Sequence, residues 1–272
     1  MRKSGHIFII LLIFLFSFSS KLFSNLNTLF DDETLIISNF PEEINSPGLV
    51  FEQLLDKTSL RVLYHHKNAL NSNLTILVSI SNISTEDIEF DLQYGLGGST
   101  KDVVFAGHKS AKDFMTQLLL SPKSITIPAS STAIILKHVI KSNEVSSGHF
   151  RIASKKKNNL KIKMAIIDED YPQLSMFKDI PNITNQFRII EANKSKERIT
   201  KLFDCNQKID VFEIGGKPYI KDMTKNYKFK GNYGLMYYID LKLVNSQERL
   251  NEVKLFFAPK KDNAIDRAVV IL

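Results

Sequence analysis

Residues 74–81, Leu-Thr-Ile-Leu-Val-Ser-Ile-Ser, decide the fold class of this 272-residue chain. Every second residue from Leu74 to Ile80 is aliphatic, and this period of two places one side of a β-strand on a core and the other in water. The same alternation recurs at 88–94 and 160–166. Short strands separated by polar turns favour an all-β chain built on Ig-like β-sandwiches. Less regular strands are expected at 61–66, 132–140 and 148–154.

The second half of the chain predicts another sandwich. The polar stretch 168–172 ends in proline and marks a boundary. We therefore expect residues 45–168 to form the first β-sandwich domain and residues 172–272 the second, in tandem. The loops around Asn82 and Asn245 each separate two alternating strands. This weak internal sequence similarity fits either duplication of one domain or convergence. The strands expected in the second half are 187–192, 199–203, 211–214, 227–230, 235–244, 253–258 and 268–272.

One helix is predicted between the strands, near 110–120. Apolar residues from Ala111 to Leu119 fall at helical spacing and form a single stripe. Ser110, followed by Asp113, resembles a capping box and sets the expected start. Pro122 prevents continuation. We expect this helix to cover an open end or edge of the first sandwich.

The first 24 residues are typical of a secretory signal peptide. Arg2 and Lys3 precede an apolar run from Ile7 to Phe18, and small serines follow it. The apolar run is shorter than a comfortable membrane span. Export to the medium or the cell envelope is therefore the expected localisation. Contact with a membrane is expected only through this leader, if it stays uncleaved as an amino-terminal anchor.

Composition argues against several classes of function. The formal net charge is +7, but basic residues are mixed with acidic ones, so no nucleic-acid partner is expected. Cys205 is the single cysteine, which excludes an intrachain disulfide and favours a buried thiol. No Ser-His-Asp or Cys-His order can be assembled from the chain. We expect no cofactor and no catalytic residue.

Five of the six histidines lie in the first predicted domain, and imidazole is a common metal ligand. Their spacing matches no ligand template, and adjacent residues of a strand point to opposite faces. Separate structural histidines are therefore favoured over a metal site. The five are His65, His66, His108, His138 and His149.

The glycine-rich stretch 95–101, Gly-Leu-Gly-Gly-Ser-Thr-Lys, is the other candidate site. It lacks the pattern of a P-loop or a dinucleotide fingerprint, so a tight loop between sandwich and helix is favoured. An imidazole expected just ahead of a helix start still suggests an anion site, since exposed amides attract acidic groups. The candidate ligand-binding residues are Gly97, Gly98, Ser99 and His108.

Several short phrases together resemble a group of uncharacterised secreted bacterial proteins with tandem Ig-like β-sandwich domains. The resemblance implies export and a tandem sandwich, and it implies no reaction. It covers about half of the mature chain, in pieces. The phrases are Pro47–Val50, Arg61–His66 with Asn68, Gly97–Ser99 before Asp102, Gly107-His108, Phe114, Gly231–Gly234 and Phe256–Pro259.

The expected function is that of a non-catalytic secreted or cell-envelope protein with a binding or structural role. Its partner would be a protein or a glycan at the cell surface, because end loops and faces of sandwiches commonly bind such partners. A small-ligand or metal-binding module around Gly98 and His108 is the alternative. An exported hydrolase is the third hypothesis, and it requires a pocket that gathers acids or histidines.

Overall fold

A computed structural model describes residues 33–55, 58–154, 159–168, 181–184, 187–190, 196–215, 219–223, 228–229, 234–246 and 252–257. The expected leader, residues 1–24, and the expected strand 268–272 lie outside these ranges. No helix in the described part of the chain has the length and apolar character that crossing a bilayer requires.

The described residues are mostly β-strand with one helix, which confirms the all-β class. The helix is α1 (Val103–Leu118). The strands are β1 (Glu33–Ser38), β2 (Glu43–Ile44), β3 (Gly48–Leu55), β4 (Ser59–Asn68), β5 (Leu74–Asn82), β6 (Ile88–Thr100), β7 (Lys123–Ile127), β8 (Thr132–Ile140), β9 (Val145–Ala153), β10 (Leu160–Asp168), β11 (Arg188–Ile190), β12 (Lys196–Asp204), β13 (Ile220–Lys221), β14 (Lys228–Phe229) and β15 (Met236–Val244).

Two sheets enclose the main core. The seven-stranded sheet has the order β11-β1-β4-β9-β6-β7, with β2 beside β4, and the four-stranded sheet has the order β3-β10-β5-β8. Val62 and Phe150 from the first sheet and Ile76 and Met164 from the second belong to one buried cluster. Leu74, Ile76, Val78 and Ile80 fill the space between the sheets, as the alternation predicted. The expectation that the other face lies in water was wrong, because Thr75, Leu77 and Ser79 are buried as well.

The start of the helix was predicted wrongly. α1 begins at Val103, seven residues before Ser110, and Asp102 is its N-cap, with a side-chain oxygen that accepts a hydrogen bond of 2.9 Å from the amide of Phe105. Gly107 lies inside the helix and does not interrupt it. The Asp102 side chain thus satisfies one of the first-turn amides that have no partner within the helix, as an N-cap should.

The glycine-rich stretch is the end of strand β6, not a loop. Gly97 pairs with Ser147 of β9, and a register shift follows before Thr100. A Cβ at Gly97 would lie 1.9 Å from the carbonyl oxygen of Ala106, so glycine is required where the helix backbone crosses the strand. Gly98 has a φ of +101°, which only glycine adopts easily. α1 thus packs on the outer face of the larger sheet rather than on an edge.

Parts of the second half contact the first sandwich. β11 pairs antiparallel with β1 in the larger sheet, and β1 itself precedes residue 45. Met236 and Tyr238 of β15 pack against the buried cluster of Phe114 and Leu118 on α1. The division into tandem domains at 45–168 and 172–272 stays a prediction.

The remaining strands of the second half differ in how well the alternation predicted them. β12 and β15 lie where strands were expected and pair in parallel. Residues 211–214 and 252–257 adopt no strand. Alternation specifies the two faces of a strand, but a strand also needs a neighbouring strand with which it forms a ladder, and neither segment joins a sheet among the described residues.

Candidate functional site

His138 joins the two sheets. It lies on β8 of the smaller sheet, and its Nδ1 is 2.7 Å from the hydroxyl of Tyr64 on β4. Its Nε2 is 3.3 Å from the carbonyl oxygen of Gly98 and 3.4 Å from Oγ of Ser146. Since a carbonyl only accepts, Nε2 carries the proton and Nδ1 accepts from Tyr64. Both ring nitrogens are used, and burial lowers the pKa of His138, so the neutral ring is favoured.

Tyr64 is the centre of this arrangement. It is fully buried, and burial raises the pKa of its hydroxyl far above the usual value, so it stays a neutral donor. Its ring stacks on His66 with centroids 6.5 Å apart. Gly148 lies opposite on β9, where a Cβ would be 2.3 Å from the ring. The Tyr64 ring therefore occupies the space that a side chain at Gly148 of the neighbouring strand β9 would fill.

His66 forms a serine–histidine pair that solvent does not reach. Oγ of Ser38 is 3.0 Å from Nε2, and the carbonyl oxygen of Pro41 is 2.9 Å from Nδ1. The geometry resembles an oriented catalytic dyad. Both Ser38 and His66 are 0% exposed, however, and burial lowers the pKa of His66 to about 4. The pair ties β1 to β4 and is closed to solvent in this structure.

His65 lies on the opposite face of β4 from His66, as the alternation predicted. Its Nδ1 is hydrogen-bonded to Oγ of Ser147, which is fully buried. Burial lowers the pKa of His65, and the nearby carboxylate of Glu42 opposes this effect. This histidine also links two neighbouring strands, β4 and β9.

His149 lies under α1. The hydroxyl of Ser110 donates to the carbonyl oxygen of Gly107 at 3.0 Å, so Nδ1 of His149, 3.1 Å from the same hydroxyl, is the donor to it. The ring stacks on Phe114 with centroids 5.7 Å apart. Burial, and next the positive charge of Arg61, lower the pKa of His149 to about 3. This contact holds the helix to β9.

The four residues predicted to bind a ligand do not form one site. Gly97, Gly98 and Ser99 lie at the end of β6, where Oγ of Ser99 donates to Glu144 at 2.5 Å and accepts from the amide of Lys141 at 2.8 Å. His108 lies inside α1 and is exposed. The helix turns its Ala106 and Ser110 side inward, so His108 points away from the glycines.

A buried ion network that the sequence did not reveal lies on the outer face of the larger sheet. Glu33 on β1 is 0% exposed and binds Nε of Arg61 at 2.7 Å and Nε of Arg151 at 2.8 Å. Arg61 also donates to the carbonyl oxygen of Gly234 at 2.6 Å, just before β15. One carboxylate thus joins three adjacent strands and the second half of the chain. The sequence held one signal of this network: β1, β4 and β9 each carry a charged residue, Glu33, Arg61 and Arg151, within an otherwise largely apolar strand.

No group of three histidine, cysteine or acidic side chains capable of holding a metal occurs among the described residues. Comparison of the chain with protein-family models, with curated proteins and with solved structures gives no match.

Proposed function

We propose that this chain is a non-catalytic binding or structural protein that works outside the cytoplasm, secreted or held at the cell envelope. The charged, apolar and small-residue order of residues 1–24 supports export. The all-β architecture supports a rigid scaffold that presents surfaces and loops to a protein or glycan partner. Fold alone assigns no function, so the proposal depends on how the reactive side chains are used.

The internal use of the histidines carries the proposal. A catalytic base must reach the proton that it removes, within hydrogen-bond distance of a bound substrate. His66 and His149 are buried, and His138 has a protein partner at each ring nitrogen. These side chains connect strands, sheets and the helix, which is a structural role.

The first turn of α1 offers apolar groups to solvent. Val103, Val104 and Phe105 in the first turn of α1 are all exposed, and Phe105 is 51% exposed. Consecutive exposed apolar residues at one turn are typical of contact surfaces. An aromatic ring there suits stacking on a sugar or packing in a protein pocket.

Two experiments test the proposal. Cell fractionation should place the chain in the medium or the envelope. The labelled, exported protein should bind intact source cells saturably. Phe105→Asp should weaken that binding. Thr116→Asp, a change at an exposed position of the same helix, is the control and should leave the binding unchanged. Cytoplasmic localisation, or turnover of a substrate that Ser38→Ala or His66→Gln abolishes, would contradict the proposal.

A further inference from the structure

The β12–β15 ribbon is incomplete as a sheet. It has two parallel strands, and among the described residues neither strand has a second neighbour. Parallel sheets are normally covered on both faces, and isolated two-stranded ribbons are marginally stable in water. In this ribbon one face is apolar and exposed at Ile239, Leu241 and Leu243. Within the described ranges, the carboxyl-terminal half of β15 therefore has an exposed face and an edge with no paired strand.

Residues 252–257, Glu-Val-Lys-Leu-Phe-Phe, have the sequence pattern of a β-strand. They pair with no other strand among the described residues. Val253, Leu255 and Phe257 alternate with Glu252, Lys254 and Phe256. Leu255 is 60% and Phe256 80% exposed, although both are large apolar side chains. The segment forms no strand in this structure, but its alternation and exposed apolar side chains are those of a segment that can add to a sheet edge.

The side chains of this segment complement those of β15 in one antiparallel register. When Glu252 is placed opposite Lys242, Lys254 comes opposite Asp240. On the other face the same register sets Val253 against Leu241 and Leu255 against Ile239. Opposite charges and apolar pairs directly across antiparallel strands both stabilise a sheet.

We propose that residues 252–257 of a second copy of this chain add to the open edge of β15, and that the exchange is reciprocal. The segment does not pair with β15 of its own chain, and no other described segment occupies that edge. A two-fold exchange uses the same patch twice and leaves both copies with a three-stranded unit. This self-association does not depend on the proposed surface partner.

Charge exchange between Lys242 and Glu252 tests the proposal. The full exported chain should be a dimer at micromolar concentration by light scattering. Lys242→Glu sets two carboxylates against each other, and Glu252→Lys sets two ammonium groups against each other, so each variant alone should dimerise roughly tenfold more weakly. Mixed in equal amounts, the two variants should recover the dimer, because both junctions are then complementary. Glu86→Lys, an exposed change in the first half, is the control and should dimerise like the wild type.

A wild-type chain that stays monomeric at 100 µM, on the order of a weak dimer's dissociation constant, would overturn the proposal. So would failure of the mixture to recover dimers, because pairing of the segment with its own β15 cannot be rescued between chains. Disulfide trapping gives an independent reading in a Cys205→Ser background with Leu241→Cys and Val253→Cys. Covalent dimers support the exchange, and a disulfide within one chain, or none, contradicts it.

Discussion

Replacement of Glu33 by glutamine should destabilise the chain more than any change of charge at its surface. The carboxylate makes close contacts of 2.7 and 2.8 Å to two arginines and is 0% exposed. Glutamine keeps the size of the side chain but removes the charge, so two guanidinium groups remain buried beside each other. Loss of one partner from a buried ion pair costs about 3–5 kcal/mol.

Urea unfolding measures this effect. With a denaturant slope of about 2–3 kcal/mol/M, the expected loss lowers the unfolding midpoint by about 1–2.5 M. Glu43→Gln is the matched control, since the bridge from Glu43 to Lys67 has the same 2.7 Å length but is 55% exposed on the acidic side. Exposed bridges contribute about 0–1 kcal/mol, so its midpoint should hardly move.

The effect should also reach β15. Arg61 holds the carbonyl oxygen of Gly234 while it binds Glu33, so loss of the carboxylate should speed amide exchange at the start of β15. An unfolding midpoint for Glu33→Gln equal to that of Glu43→Gln would refute the reasoning, because it would mean that the network is solvated.

The free energy of unfolding should decrease as the pH is lowered below 6.5, because histidines of the unfolded chain then bind protons and the buried histidines of the folded chain do not. Folded pKa values of about 4 for His66 and about 3 for His149 imply a loss of about 2 kcal/mol from each between pH 8 and pH 5. Urea midpoints measured at these two pH values check this, and His149→Gln should show a flatter pH dependence. Gly97→Ala should destabilise the chain by several kcal/mol because of the contact with the helix backbone, whereas Gly107→Ala, where a Cβ meets nothing within 4 Å, should stabilise it by up to about 1 kcal/mol. Equal melting temperatures for these two variants would contradict the packing of α1 on β6. Asp102→Ala should cost about 1 kcal/mol through loss of the N-cap, and an unchanged melting temperature would return the helix start to Ser110.

Local alternation predicted part of the strands, because it is a property of neighbouring residues, but it did not predict β1, β3 or β7. β5 and β8 lie where the sequence placed them, and the apolar stripe correctly identified Phe114 and Leu118 as the buried side of the helix. The apolar stripe does not mark the helix start, because the first turn, residues 103–105, is exposed and Asp102 caps it. The role of Gly97 depends on where α1 crosses β6, which no local pattern encodes.

The polar contacts could be predicted only in part. The sequence correctly placed His65 and His66 on opposite faces, since that follows from the pleat alone. It could not pair Glu33 with Arg151, because 118 positions separate them and only strand order brings β1 and β9 to the two sides of β4. The sequence places His108 close to the glycines, but in the structure it is exposed on the side of α1 that faces away from them.

The structural role of the histidines is tested most directly by ¹⁵N NMR of the imidazole rings from pH 8 to pH 5, with and without Zn²⁺. The account predicts that His66 and His149 stay neutral at pH 5 with the proton on Nδ1, that His138 carries it on Nε2, and that Zn²⁺ shifts none of the three. Protonation of His66 or His149 near pH 6.5, or a Zn²⁺-dependent shift at any of the three, would show that these rings are accessible and would contradict the account.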